Sequence, residues 1–293
     1  MNDLQKLLES SQMPSDHTPA LGPLLDLIRA RYGDTVLAIF LYGSCREEPD
    51  PKDGLIDLAV VVNRYQDVHS SRLSGWANAW LPPNVYFAEA GGLKSKYALI
   101  DQAGLEHKVH ARWDHYFWAR FCQPVTRIFT RDESVSRWLV EIQAKAVRTF
   151  YRNTSALKDA PHAVLDFWAH GLRQTYGCEL RPEPAGHALA LIERNPDYWQ
   201  CLHQAVRSTP SPMGVERWRY RLRWHLRKIT GKLMNMARLL KAAGTVSQGI
   251  DYVAWKVQRH SGVKVEIQSW MRRHPRLGGL ALAWGLWRQG GFR

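Results

Sequence analysis

Two short segments among the first 60 residues carry the residue types that phosphate chemistry needs. Gly43-Ser44 follows the apolar run 36–41, and Asp57 lies thirteen positions after Ser44 inside the apolar run 55–62. Glycine lets a backbone come close to a phosphate, and exposed N–H groups with a small hydroxyl can hold a triphosphate. A carboxylate opposite them can hold Mg²⁺, which stabilises displacement at phosphorus. The spacing therefore predicts a site for a nucleoside triphosphate and a magnesium ion.

Asp57 is the most informative of these residues. A carboxylate within an apolar strand is expensive to bury unless a cation compensates its charge. We therefore expect a metal ion beside Asp57. In the alternative interpretation, Gly43-Ser44 is an ordinary helix N-cap and Asp57 only caps the end of a strand.

The elements that must position these residues follow from the periodicity of apolar side chains. The spacing predicts a helix over 21–32, strands over 36–41, 55–62 and 84–88, and then helices over 134–151, 161–176 and 186–207 with a short wing at 177–184. This pattern indicates an α/β (α+β) fold with a mixed sheet, followed by a helical region. Six tryptophans are predicted to be core side chains rather than a platform for stacking bases: Trp76, Trp80, Trp113, Trp118, Trp138 and Trp168.

The order of strand, Gly-Ser turn and carboxylate-bearing strand resembles the nucleotidyltransferase superfamily. Members of that superfamily normally carry two carboxylates separated by one residue, whereas Leu55 and Ala59 occupy the two possible partner positions here. Three residues could replace the missing ligand: Asp53, Glu89 and Asp114.

The single Ile-Asp on the second strand points to one branch of this superfamily. The chain resembles the mitochondrial-type CDP-diacylglycerol synthases of the translocator assembly and maintenance family, discontinuously over residues 36–207. The resemblance is carried by Phe40-Leu-Tyr-Gly-Ser44, Leu55-Ile-Asp-Leu58, Leu81-Pro-Pro-Asn-Val-Tyr-Phe87, Lys96-Tyr97, Trp113, Arg120 and Pro124-Val125. Cys45 departs from the pattern, because the family often has glycine there. We expect a bacterial relative.

The resemblance implies the reaction of CTP with phosphatidic acid, which gives CDP-diacylglycerol and pyrophosphate and depends on Mg²⁺. It implies a nucleotidyltransferase domain at 1–130, a winged-helix-like domain at 131–207 and a membrane-associated, basic amphipathic region at 208–293. Carried over to this chain, the nucleotide would contact Tyr42, Gly43, Ser44 and Arg120. Asp57 would bind the metal, Lys96 would be catalytic at a phosphate, and Arg181 would bind the phosphate of the acceptor.

The positive charge of the chain is confined to its last third. The whole chain has a formal net charge of +13, yet the part before Arg207 has 22 Lys and Arg against 24 Asp and Glu. From Arg207 onward there are 18 basic residues against 3 acidic ones. A shift of this kind favours a near-neutral catalytic part joined to a part that meets a polyanion.

Residues 217–243 carry this charge on a predicted amphipathic helix. Apolar residues recur every three or four positions at Trp218, Leu222, Leu226, Ile229, Leu233, Met236 and Leu240, among many arginines and lysines. Such a helix can bind an anionic membrane, bind a nucleic acid, or pack on the rest of the protein. We favour a membrane surface, contacted by residues 215–293, because phosphatidic acid stays in the bilayer; nucleic acid is the less favoured partner.

Several classes of protein are excluded by the sequence. No stretch of about 18 uncharged apolar residues is present, which argues against a membrane-spanning enzyme. The four cysteines are far apart, so we expect reduced thiols and no zinc. The first residues fit no secretory or transit pattern, and we expect a cytoplasmic protein attached peripherally to the inner membrane.

The residues predict a nucleotidyltransferase, and the resemblance implies that it is a phosphatidate cytidylyltransferase. Its rivals are another nucleotidyltransferase that acts on RNA or a small molecule, and a non-catalytic basic binding protein with a decayed site.

Overall fold

The computed structural model describes residues 2–14, 18–43, 46, 55–68, 81–179, 186–245, 268–273 and 278. Several predicted features lie outside these residues. They are Ser44, Cys45, Asp53, Trp76, Trp80, Arg181, most of the predicted wing and most of the chain after Thr245.

The described part of the chain alternates helices and strands and then becomes helical. The helices are α1 Asp3–Ser11, α2 Gly22–Tyr32, α3 Tyr65–Val68, α4 Gln102–Lys108, α5 Tyr116–Phe121, α6 Glu133–Ser155, α7 Val164–Tyr176, α8 His187–Glu193, α9 Pro196–Val206, α10 Gly214–Thr245 and α11 Ser269–Arg273. The strands are β1 Val36–Leu41, β2 Leu55–Val62, β3 Asn84–Ala90, β4 Leu93–Asp101 and β5 Thr126–Thr130.

The five strands form one mixed sheet in the order β3-β4-β2-β1-β5. Strands β2 and β4 are parallel, and the other neighbours are antiparallel. Residues 36–41 of β1 are buried throughout because helices cover both faces of the sheet. The predicted α/β fold with a mixed sheet is confirmed, although β5 was not predicted.

Alternate residues of β2 belong to two separate apolar clusters. Ile56, Leu58, Val60 and Val62 pack with α2, whereas Ala59 and Val61 pack with α5, α6 and the helices that follow. Asp57 shares the parity of Ala59 and therefore faces the larger cluster. That cluster runs without interruption from the sheet into 131–207, so the predicted boundary at residue 130 remains a prediction.

The predicted core tryptophans have different environments. Trp118 and Trp168 are fully buried, and Trp138 is partly buried against the same cluster. The prediction is wrong for Trp113, which is 48% exposed. Trp199, which was not predicted, fills the core between α7 and α9 instead.

Helix α10 packs on the protein with a face that the apolar periodicity does not identify. Trp224 and Arg227 are 3% and 1% exposed. The Trp224 indole N–H donates to Asn153 O at 2.9 Å, and Arg227 Nε donates to Arg112 O at the same distance. One turn further, Gly231 allows contact, since a Cβ there would lie 2.5 Å from Cys178 O.

The predicted apolar positions of α10 instead face outward. Trp218, Ile229 and Leu233 are 61%, 64% and 58% exposed, on the side of the helix opposite Trp224 and Gly231. Core packing therefore accounts for one face of α10 and leaves the apolar stripe uncovered by the described residues. None of the helices in the described ranges is long and apolar enough to cross a membrane.

We expect Trp224→Ala to lower the free energy of unfolding by about 3–5 kcal/mol, because it leaves a cavity between α10 and the core. Trp218→Ala is the matched control on the same helix and should change it by about 0.5 kcal/mol or less. Urea unfolding measures both values. Equal losses for the two variants would show that α10 is not docked in this orientation.

Candidate active site

The chain turns directly after β1 at a position that requires glycine. Gly43 has φ +80°, a conformation that other L-residues adopt only with strain. A Cβ at Gly43 would lie 3.2 Å from Asp57 Oδ2, and Arg46 N donates to Gly43 O at 3.3 Å across the turn. The backbone of this turn is thus held against the carboxylate on the next strand.

Two contacts fix the position of the turn. Tyr42 N donates to Asp57 O at 3.1 Å and extends the pairing of β1 with β2 by one residue. On the other side, Arg46 Nε donates to Thr126 Oγ1 at 3.0 Å, where β5 begins. No local sequence pattern could reveal this role of Arg46, because Arg46 and Thr126 are 80 positions apart.

Asp57 forms an ion pair with Lys96, its register partner on the parallel strand β4. Lys96 Nζ lies 2.8 Å from Asp57 Oδ1, and the two side chains are 27% and 20% exposed. Oδ1 is a buried atom without a hydrogen bond of good geometry, so the contact is an ion pair and not a well-directed hydrogen bond. Lys96 supplies a compensating cation for Asp57, and the metal ion stays a prediction.

The side chain of Tyr42 lies beside the Asp57 carboxylate, and its hydroxyl is neutral. Burial raises the pKa of Tyr42 well above its ordinary value, and Tyr116 and the charge of Asp57 raise it further. Tyr116, the first residue of α5, lies beside the Tyr42 side chain. It can orient a neighbour, but it is not a base near neutral pH.

Arg120 reaches the site through Tyr116. Its guanidinium lies 3.7 Å from the centre of the Tyr116 ring and forms a two-point ion pair with Glu179, at 2.9 and 3.1 Å. Burial alone would raise the pKa of Glu179, but Arg120 and then His115 outweigh it and hold that pKa well below its usual range. A nucleotide phosphate at Arg120 would compete with this buried carboxylate, and the predicted role of Arg120 stays untested.

Neither described candidate for the second carboxylate joins Asp57. Glu89 lies on β3, two strands from β2, which is about 10 Å at the usual strand spacing. Asp114 is engaged elsewhere, because its Oδ2 pairs with Arg238 at 2.6 Å and with Lys108 at 3.2 Å. Among the described residues, no group of three or more His, Cys, Asp or Glu side chains could hold a metal ion.

The site nevertheless fits a magnesium ion that arrives with a nucleotide. Mg²⁺ is commonly held by one or two carboxylates together with substrate phosphates and water. Asp57 provides one such carboxylate, and its Oδ1 has no directed hydrogen bond to lose. Asp57 and a bound triphosphate could therefore share the ion.

Comparisons with known proteins give structural likenesses only. No family model matches the chain, and no curated protein is matched by it. Among solved structures, the chain is similar to a nucleotidyltransferase-like protein from Exiguobacterium sibiricum, with 12% sequence identity and a TM-score of 0.30. The match covers 93% of this chain and 91% of that one. It assigns neither a family nor an activity, so the functional argument rests on the site.

We expect Gly43→Ala to destabilise the protein more than Gly92→Ala. Both glycines have positive φ values, +80° and +77°, so both variants pay a conformational cost of about 1 kcal/mol. Only at Gly43 does the added Cβ also press on Asp57, because Gly92 has open space around it. Equal losses of unfolding free energy would contradict the close contact between the turn and the carboxylate.

Proposed function

We propose that this protein is a Mg²⁺-dependent nucleotidyltransferase whose acceptor is a phosphate monoester. The observation that carries the proposal is the glycine turn held against Asp57, with Lys96 paired to the same carboxylate. The turn offers backbone donors for a triphosphate, and the two charged side chains lie where its α-phosphorus would be attacked.

In this proposal, the Gly43-Ser44 turn, Lys96 and Asp57 have different roles. The Gly43-Ser44 backbone holds the triphosphate, and Lys96 offsets the negative charge that accumulates at the α-phosphate. Asp57 holds the magnesium ion, which when bound polarises the phosphate oxygens. An oxygen of the acceptor phosphate forms a bond to the α-phosphorus, and the bond to the bridging oxygen of the β-phosphate breaks, so that pyrophosphate leaves.

A phosphate monoester suits a site without a general base. Its second ionisation occurs near pH 6, so it is already a nucleophilic anion near neutral pH. Tyr42 remains protonated there, and Asp57 is committed to Lys96 and the metal. Such an acceptor requires charge neutralisation rather than proton removal, which lets the site work with a single carboxylate.

The specific reaction that we propose is that of a phosphatidate cytidylyltransferase, in which CTP and phosphatidic acid give CDP-diacylglycerol. The choice of CTP rests on the resemblance carried by residues 36–207. The choice of a lipid acceptor is supported independently by the outer face of α10, and it would place the protein peripherally at the inner, cytoplasmic membrane.

That outer face has an apolar stripe flanked by basic side chains, an arrangement that favours binding to an anionic leaflet. Its exposed apolar residues are Val215, Trp218, Leu222, Leu226, Ile229 and Leu233. At about 100° per residue, Arg219 and Arg223 border this stripe on one side and Lys228 and Lys232 on the other. Apolar side chains can enter the acyl boundary while each near-surface cation adds about 1 kcal/mol of attraction.

Incubation with α-labelled CTP, Mg²⁺ and vesicles that contain phosphatidic acid should give a labelled lipid. Asp57→Asn and Lys96→Gln should each lower the rate at least about 100-fold, because charge stabilisation at the α-phosphate is lost. Lys94→Gln is the matched control, since Lys94 is exposed two residues earlier on the same strand. Label appearing only in RNA or in a small molecule would replace the lipid acceptor, and an active Asp57→Asn variant would contradict the site.

Membrane binding tests the outer face separately. The double change Ile229→Ser and Leu233→Ser alters no charge, and it should weaken co-sedimentation with anionic vesicles at least about tenfold because buried apolar area is lost. Leu27→Ser is the control, since Leu27 is 42% exposed on α2 on the other side of the sheet. Unchanged sedimentation of the double variant, or a fall in dimer content instead, would contradict a membrane-facing role.

A further inference from the structure

The inner face of α10 contacts the chain just before β3, the strand that pairs with β4. Near the C-terminal end of the helix, Arg238 is only 10% exposed and donates from Nε to Pro82 O at 2.9 Å. Three residues on, Lys241 Nζ donates to Leu81 O at 2.9 Å, and burial followed by the charge of Arg238 lowers the pKa of Lys241 to about 8. Two partly buried cations thus attach the helix to the chain just before β3 begins.

Asp114 links these contacts of α10 to α5. Its Oδ2 accepts from Arg238 at 2.6 Å and from Lys108 at 3.2 Å, while its Oδ1 accepts from Tyr116 N at 3.2 Å. Burial alone would raise the pKa of Asp114, but Arg238 and Lys108 outweigh it and hold the pKa below its ordinary value. Asp114 therefore stays ionised, and the first turn of α5 is oriented by a carboxylate that α10 helps to neutralise.

The ring of Tyr116 is held by two guanidiniums. Arg120 lies 3.7 Å and Arg238 4.6 Å from the ring centre, distances at which each cation is attracted to the aromatic face. Tyr116 lies beside the side chain of Tyr42, which precedes the Gly43 turn and whose backbone N–H donates to Asp57 O. An unbroken series of contacts thus leads from Arg238 on α10 to the backbone of Asp57.

Two of the three guanidinium nitrogens of Arg238 are already engaged. Its Nε donates to Pro82 O and its Nη2 to Asp114, so a phosphate that bound through these nitrogens would have to break both contacts. The same holds for Arg120, which is paired with Glu179 at two points. These two arginines are therefore better suited to hold Tyr116 in place than to bind a substrate anion.

We propose that Arg238 is a positioning residue for the active site, which acts through Tyr116 and Tyr42 on the Gly43 turn and Asp57. Helix α10 then has two roles: its outer face meets an anionic surface, and its inner face sets the geometry of the turn. The effect on turnover rests on the proposed nucleotidyl transfer, whereas the structural coupling between Arg238 and the turn does not.

Hydrogen exchange at the backbone of segment 40–43 tests the coupling without any activity. Arg238→Gln should raise the exchange rate of the Tyr42 amide about tenfold, because the contacts that hold Tyr116 are lost. Arg219→Gln, on the exposed side of α10, is the charge-matched control and should leave that rate unchanged. Faster exchange confined to α10 itself, with segment 40–43 unaffected, would overturn the proposal.

A second variant distinguishes loss of the contact between Tyr116 and Tyr42 from detachment of α10 as a whole. Tyr116→Phe keeps the ring and both guanidinium contacts but removes the hydroxyl beside Tyr42, so it should raise Tyr42 exchange without exposing α10. In a double-mutant cycle with Tyr42→Phe, the effect of the pair should be no greater than that of either change alone, and strictly additive effects would overturn the series of contacts.

Turnover supplies the functional readout. If wild-type protein transfers a nucleotidyl group, Arg238→Gln and Tyr116→Phe should lower kcat about tenfold or more with KM for the nucleotide nearly unchanged, since they misplace the turn without removing a binding contact. A change in KM alone would show that Arg238 binds substrate instead. If the wild-type protein transfers nothing, the proposed function fails, while the exchange measurements still decide the coupling.

Discussion

The charge of Asp57 inside an apolar sheet is the constraint on which the rest of the structure depends. A carboxylate at this position needs a compensating partner. The parallel pairing of β2 with β4 provides one by placing Lys96 in register with it, 2.8 Å away. Gly43 lies against the same carboxylate. Glycine suits this turn because its φ is +80° and because a Cβ would lie only 3.2 Å from Asp57 Oδ2. One partly buried charge thus relates three strands and a turn, and it leaves an oxygen able to accept a second cation.

The helices add a second group of charged and aromatic side chains near the Asp57–Lys96 pair. Tyr116, Arg120 and Glu179 form a largely buried group between α5 and the end of α7, and Arg238 extends it to α10. The buried cation of Arg227 and the partly buried cations of Arg238 and Lys241 show that part of the positive charge of the C-terminal third is used inside the protein. Burial lowers the pKa of Arg227 to about 10, which reflects how little compensation it receives. The cations that remain on the outer face are the ones available to an anionic surface.

Much of the fold could be predicted from residue patterns, and the limits of that prediction are physical. Strands β1 and β2 and helices α2, α6 and α7 follow from runs and periodicities that burial itself imposes. Strand β5 could not be recognised, because it is short and only partly buried. The face by which α10 packs was missed for a related reason: its apolar stripe points outward, and the face that docks is built from Trp224, Arg227 and Gly231.

The candidate site likewise has some features that sequence patterns predict and others that they do not. Gly43 and Asp57 could be identified from type and spacing, and the structure brings the Gly43 turn against Asp57 Oδ2. The pairing of Lys96 with Asp57 depends on a register that local sequence does not contain, and the contacts of Tyr116 with Arg120 and Arg238 join residues up to 122 positions apart. Interactions of that kind are decided by packing, which single-residue patterns do not encode.

The central claim, that Asp57 and the Gly43 turn hold a metal and a triphosphate together, can be tested directly with Mn²⁺ in place of Mg²⁺. Crystals grown with Mn²⁺ and a CTP analogue that cannot be cleaved between the α- and β-phosphates should show an anomalous peak about 2.2 Å from a carboxylate oxygen of Asp57. The triphosphate should lie along the Gly43 turn, and Asp57→Asn should abolish the peak. A nucleotide bound elsewhere, or a metal peak that persists without the Asp57 carboxylate, would contradict the account.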